Sequence, residues 1–210
     1  MVIRELIQHT ISALRRCGSD NPIFEAHSIV RFALKLSAMD LVLQHGRTAS
    51  ESEISVGDAL LNRRTAGEPL QYILGVQEFM SLDFSVTPDV LIPRSDTETL
   101  VEYVIEKTKN KGFMLLDIGT GTGCIPLSIA HFNQRAFVRG IDISEKALAV
   151  AEKNRKNLGL EDRADFEKLD ILSEIPRGKY DIITSDIKSA ESGFCRAIHG
   201  LRRTAGLRTF

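Results

Sequence analysis

Asp117-Ile118-Gly119-Thr120-Gly121-Thr122-Gly123-Cys124 is the stretch that decides the fold. The apolar run Phe113-Met114-Leu115-Leu116 leads into it, and Ile125-Pro126-Leu127-Ser128-Ile129-Ala130 leads away. That order predicts a strand, a glycine-rich turn and the start of a helix. Glycine takes positive φ freely and lets a ligand approach where a Cβ would intrude. The helix start behind the turn offers unpaired N–H groups to a polar or anionic ligand group. This turn is therefore where a nucleotide-like cofactor would sit.

Downstream the pattern keeps alternating. Phe137 to Asp142 reads as a second strand and Glu145 to Leu158 as a helix, with Ala147, Leu148, Ala151 and Leu158 as candidates for its apolar face. Phe166 to Asp170 and Tyr180 to Thr184 supply two more strands. Strands alternating with helices predict an α/β fold, a Rossmann-like parallel sheet. Ligands of such sheets bind at the carboxyl ends of the strands. Asp142 and Asp170 both end strands at that edge. An acid in the position of Asp142 accepts hydrogen bonds from ribose hydroxyls. Two cofactors fit this constellation. A dinucleotide site reads G-x-G-x-x-G with a pyrophosphate on the helix start. Here an acid, Asp117, precedes the first glycine, which suits the ammonium of S-adenosylmethionine better than a pyrophosphate.

Upstream, residues 1–66 read as a helical bundle. Ile3, Leu6, Ile7, Ile11 and Leu14 recur at helical spacing and stop at Gly18. Asn21-Pro22 is a cap followed by a first-turn proline, with Phe24, Ile29, Val30, Ala33 and Leu34 on one face behind it. Ser50 with Glu53, and Ser95 with Glu98, have capping-box spacing. Between them, residues 67–95 read as a hairpin linker, with Leu82, Phe84 and Val86 alternating as in a half-buried strand. Residues 96–185 form the cofactor-binding domain, and residues 186–210 a divergent tail.

The composition excludes several classes. The chain has 210 residues and a formal net charge of −1, so bulk charge does not predict direct nucleic-acid binding. Three dispersed cysteines (Cys17, Cys124, Cys195) suit a reducing compartment, and five scattered histidines show no metal-ligand spacing. No apolar run approaches the roughly 20 residues of a membrane span. A cytoplasmic protein without metal is the expectation.

Two further stretches carry a resemblance: Gly67-Glu68-Pro69-Leu70-Gln71-Tyr72-Ile73-Leu74-Gly75 and Leu91-Ile92-Pro93-Arg94-Ser95-Asp96-Thr97-Glu98. With Asp117 to Gly123, they resemble the HemK/PrmC-type peptide chain release factor glutamine methyltransferases, over roughly residues 1 to 185. The family has proline where Ser95 stands. The resemblance implies methyl transfer from S-adenosylmethionine to the side-chain amide of the glutamine in a release factor's Gly-Gly-Gln motif. The helical domain would help hold the release factor. Asp117, Gly119, Thr120, Gly121, Thr122, Gly123 and Asp142 would contact the cofactor, with Asp170 and Ile171 bordering the adenine.

The family also carries Asn-Pro-Pro-Tyr after the fourth strand, where the asparagine and a backbone carbonyl orient the substrate amide. Here Asp186 stands at the asparagine position, and the prolines and tyrosine are absent. No intact catalytic set is expected beyond Asp186 itself. After Glu191 there is no acid, while Arg196, Arg202, Arg203 and Arg208 accumulate. The chain reads as truncated or divergent after about residue 185. It supplies about four of the family's strands, so the sheet is expected to be incomplete. The alternative is a non-catalytic binder of S-adenosylmethionine or of a release factor. A dinucleotide-dependent oxidoreductase is disfavoured by the glycine spacing.

Overall fold

The computed structural model describes residues 1–109 and 111–186. The basic stretch with Arg196, Arg202, Arg203 and Arg208, and Cys195, lie outside the described residues. The chain divides into two compact units, Met1–Gly75 and Val76–Phe210.

The first unit holds α1 (Ile3–Arg16), α2 (Pro22–Leu34), α3 (Ala38–Leu43), α4 (Glu51–Thr65) and α5 (Leu70–Leu74). The helical spacing of α1 puts Ile3, Leu6, Ile7, Ile11 and Leu14 into one core with Ile29, Val30, Leu60 and Leu61. Asn21 accepts from the Phe24 amide to start α2, and Pro22 loses nothing at a position whose N–H would be unpaired. The Ser50–Glu53 box forms in both directions, at 3.2 and 2.8 Å. Arg47 binds Glu53 at 2.8 and 3.1 Å, and its hydrogen bonds with that of the Ser50 amide hold the carboxyl down at about 2. Phe24 departs from its expected face: it is 61% exposed, because the buried stripe of α2 runs through Ala26, Ile29, Val30 and Ala33.

Where the sequence predicts a hairpin linker over 67–95, the structure divides the segment. Residues 70–74 form α5, whose Leu70 and Ile73 join the first core. The hairpin of β1 (Val76–Phe79) and β2 (Leu82–Ser85) packs Phe79 and Phe84 into the second. Its turn residues, Met80 and Ser81, both take positive φ, +53° and +58°, where glycine or asparagine is usual. The Ser95–Glu98 box does not form. Arg94 is the cap of α6 (Ser95–Lys107), and Glu98 instead accepts from the Met80 amide at 2.6 Å. The carboxylate thus satisfies the hairpin turn rather than its own helix.

The sheet follows: β3 (Phe113–Ile118), α7 (Cys124–Phe132), β4 (Ala136–Asp142), α8 (Glu145–Asn157), β5 (Ala164–Lys168) and β6 (Ile182–Ser185). Among the described residues its strand order is β5-β4-β3-β6, all parallel. Phe113, Leu115, Val138 and Ile182 on the sheet join α7's Leu127 and Ile129 in one core, and Leu116, Ile118, Ile141 and Tyr180 form another. The third strand ends at Lys168, so Asp170 sits in the following turn rather than on the strand. The buried face of α8 runs through Ala147, Val150, Ala151 and Asn154, while Leu148 and Leu158 are only half-buried.

Candidate functional site

The glycine turn leaves the end of β3 and bonds back to the neighbouring strand, with the Gly119 and Thr120 amides on the Ile141 carbonyl at 2.9 and 3.0 Å. Its last glycine tolerates no side chain. Gly123 has φ +76°, and a Cβ there would stand 2.9 Å from the Phe166 ring and 3.0 Å from Leu127. α7 begins directly after it, but its first turn does not offer a ligand the free amides that the sequence suggested: the Cys124 N–H donates to the Thr122 hydroxyl at 3.3 Å, and residue 126 is a proline without an N–H.

Asp142 ends β4 and faces the turn. One carboxylate oxygen accepts from the Gly121 amide at 2.9 Å and the other from the Ser144 amide at 2.9 Å. Each oxygen keeps a further lone pair. Ser144 in turn caps α8. Asp170 spends one oxygen on the Leu172 amide at 3.0 Å. These elements surround a cleft of about 440 Å³ lined by Gly119, Gly121, Asp142, Ile143, Ser144, Ala147, Leu169, Asp170, Ile171 and Leu172, and by Asp89, Val90 and Leu91. Leu91, Ile143 and Leu172 are more than half exposed, which makes the rim apolar.

Asp117, Thr120, Thr122 and Gly123 do not line the cleft; they lie buried beneath it. Asp117 is 1% exposed. The parallel register sets Thr184 opposite it, and the Thr184 hydroxyl donates to Oδ1 at 2.8 Å. Its Oδ2 and the Thr120 hydroxyl have no hydrogen-bond partner of good geometry. Burial pushes the carboxyl up to about 7; the Thr120 and Thr184 hydroxyls oppose that rise, and the Asp142 and Asp186 charges add to it. Burial likewise pushes the Cys124 thiol up to about 12, so it is no nucleophile. Asp186 is exposed just beyond β6, where its Oδ2 accepts from the Thr97 hydroxyl of α6 at 2.6 Å.

Sequence reasoning placed Gly119, Gly121, Asp142, Asp170 and Ile171 around one ligand site, and the fold brings them to one cleft. It missed the wall of Asp89, Val90 and Leu91, although the enclosing Pro88 and Pro93 mark a stiff segment there. It missed Thr184, whose pairing with Asp117 is a matter of register alone. It also missed Asn154, a polar residue at a buried helical position. Among the described residues no cluster of His, Cys, Asp and Glu could hold a metal ion, and no helix is long and apolar enough to cross a membrane.

The comparisons with known proteins agree with this geometry. A family model for the PrmC N-terminal domain matches residues 5–75, and one for a methyltransferase domain matches residues 109–203. A parallel sheet with a glycine turn after one strand, an acid at the end of the next and no phosphate-spaced motif is an S-adenosylmethionine-dependent methyltransferase fold. That class narrows through the relatives. The release factor glutamine methyltransferase of Moorella thermoacetica is 38% identical over 89% of this chain and 66% of its own length. That of Nitratidesulfovibrio vulgaris is 33% identical over 98% of this chain and 71% of its own. That of Geobacter sulfurreducens is 35% identical over 88% of this chain and 64% of its own. The chain belongs to the release factor glutamine methyltransferase family, and it spans about two thirds of the length of these relatives.

Proposed function

We propose that the chain binds S-adenosylmethionine in the cleft beside the glycine turn and acts on the side-chain amide of a glutamine in a peptide chain release factor. The observation that carries the cofactor assignment is the buried Asp117, whose Oδ2 is unpartnered beneath a turn that opens on a helix start. Such a carboxylate asks for a cationic group, and a dinucleotide brings none beside its pyrophosphate. Asp142 keeps lone pairs for two ribose hydroxyls, and Gly121 and Ser144 hold it in place from behind. Leu91, Ile143 and Leu172 offer apolar surface to an adenine, with Asp170 and Ile171 at its edge. When bound, the cofactor supplies an electrophilic methyl on a sulfonium.

The substrate assignment rests on the named relatives. An amide nitrogen is a poor nucleophile, so the protein's contribution is orientation. Asp186 leaves Oδ1 free of the Thr97 bond to accept from a substrate N–H. The helical unit of residues 1–75 serves as the docking domain, and a formal charge of −1 suits a protein partner in the cytoplasm better than a nucleic acid.

A second reading keeps the binding and drops the chemistry. It is favoured by Asp186, a carboxylate committed to Thr97 where the family has an asparagine with a second acceptor beside it. Calorimetric titration with S-adenosylhomocysteine tests the cofactor site: binding supports it, and a folded chain that binds a nicotinamide dinucleotide instead overturns it. Transfer of labelled methyl to a release factor then separates the enzyme from the binder.

A further inference from the structure

Asn154 is fully buried on α8 and uses its side-chain amide on two separate segments. Its Oδ1 accepts from the Ser85 amide at 2.7 Å, and its Nδ2 donates to the Ser85 carbonyl at 3.0 Å. The side chain therefore pairs with β2 as a neighbouring strand would. The second hydrogen of Nδ2 goes to the Thr122 carbonyl at 3.0 Å. The partners fix the orientation of the amide, because Ser85 N–H can only donate and the two carbonyls can only accept. No other side chain of this size offers one acceptor and two donors on a planar head. Aspartate cannot donate when ionised, leucine has no polar atom, and glutamine is a methylene longer.

The Thr122–Gly123 peptide is the hinge of the glycine turn, since α7 starts immediately after it. Its carbonyl is held by Asn154, and its N–H donates to the Thr120 carbonyl at 2.8 Å. One peptide plane is thus pinned at both ends, which fixes how the glycine turn passes into α7. Meanwhile β2 runs on through Ser85 into the segment whose Asp89, Val90 and Leu91 line the cleft. Asn154 therefore holds the glycine turn and the strand leading to that segment from one point.

We propose that Asn154 is a positioning residue for the cofactor cleft, clipping the glycine turn and the β1–β2 hairpin to α8 so that the two sides of the cleft keep one spacing. The proposal rests on the cleft being the S-adenosylmethionine site. It implies that a ligand bound in the cleft reports to the hairpin through α8, where Asn154 holds the Ser85 backbone and Asn157 reaches the Ser85 hydroxyl at 3.5 Å.

The test uses the full chain as wild type, Asn154→Ala and Asn154→Asp, with S-adenosylhomocysteine titration and residue-resolved hydrogen exchange. Losing the clip leaves buried carbonyls unpaired, and the expected loss of ligand affinity is about tenfold in either variant. Faster exchange should be confined to Ser85 and the glycine turn, whereas general destabilisation of this unit would speed exchange throughout β3, β4 and α7 as well. Asn154→Asp carries a further signature. Its ionised carboxylate faces two carbonyls, and protonation restores one donor, so its deficit relative to wild type should shrink as pH falls. Unmodified protein provides a check independent of variant folding: ligand should slow exchange of the Ser85 amide. Wild-type binding with unchanged affinity in both variants, or no ligand effect at Ser85, overturns the role of Asn154 alone. Absence of binding by folded wild-type protein overturns the cofactor reading and this inference with it.

Discussion

Replacing Asp117 with asparagine should stabilise the ligand-free protein at neutral and alkaline pH while weakening its ligand affinity. Aspartate ordinarily titrates near 3.8, and burial raises this one to about 7. Between those values the folded state holds a proton that the unfolded state has released, so stability falls as pH rises through the interval and is flat above it. The gap corresponds to about 4 kcal/mol at full ionisation, a large share of the roughly 5–15 kcal/mol a domain holds in reserve. Asparagine keeps the shape and carries no charge. Its carbonyl can still accept from Thr184, as Oδ1 does at 2.8 Å, and its NH₂ takes the place of the unpartnered Oδ2 beside the Thr120 hydroxyl. Urea unfolding of both proteins should show equal stability near pH 4 and an advantage for Asp117→Asn approaching 4 kcal/mol at about pH 8. Groups remote from Asp117 titrate identically in the two proteins and cancel, which leaves only Asp117 and its coupling to Asp142 and Asp186. A stability difference independent of pH would refute the reasoning, because it would mean Asp117 is ionised throughout or that its burial costs nothing.

The ligand should reverse that pH dependence. A cationic group favours ionised Asp117, so S-adenosylhomocysteine affinity should rise as pH increases through about 7 in wild type and stay flat in Asp117→Asn, as read by titration calorimetry. Asp142→Ala removes the charged acceptor for the ribose and should weaken the same ligand by about 1.5–3 kcal/mol, and unchanged affinity would remove Asp142 from the site. Gly123→Ala combines positive φ with a Cβ 2.9 Å from Phe166. It should lower thermal stability by about 2 kcal/mol, whereas a neutral result would show that Phe166 yields.

The cofactor half of the chain was legible because its signals are local. Glycines 119, 121 and 123 all sit at positive φ, at 123 a Cβ would also strike Phe166, and Asp142 follows at the spacing of one crossover helix. What escaped notice depends on contacts between distant segments. Asn154 looks like an ordinary polar residue of a charged helix until Ser85 and Thr122 are found on either side of it. Glu98 has the spacing of a capping box, yet the hairpin turn at Met80 claims it, and that turn itself lacks the glycine or asparagine that would announce it. The short α5 was read as part of a linker because five residues show no period, and only burial of Leu70 and Ile73 assigns it to the helical unit.

The spacing of the glycines separates two cofactors weakly; the charges around them separate them strongly. Asp117, Asp142 and Asp186 lie near enough that the last two each raise the proton affinity of the first. A pyrophosphate brought to the same turn would add negative charge to a cluster of acids, and the first turn of α7, with the Cys124 N–H on the Thr122 hydroxyl and a proline at 126, offers little to offset it. An amino-acid head brings both signs. Its ammonium suits the acidic surroundings of the turn. A sulfonium adds a second positive charge beside the same acids. The electrostatics of the site therefore ask for a zwitterion joined to a cation and a ribose. S-adenosylmethionine has those parts, and that match of charges supports the proposed cofactor beyond what the glycine spacing alone does.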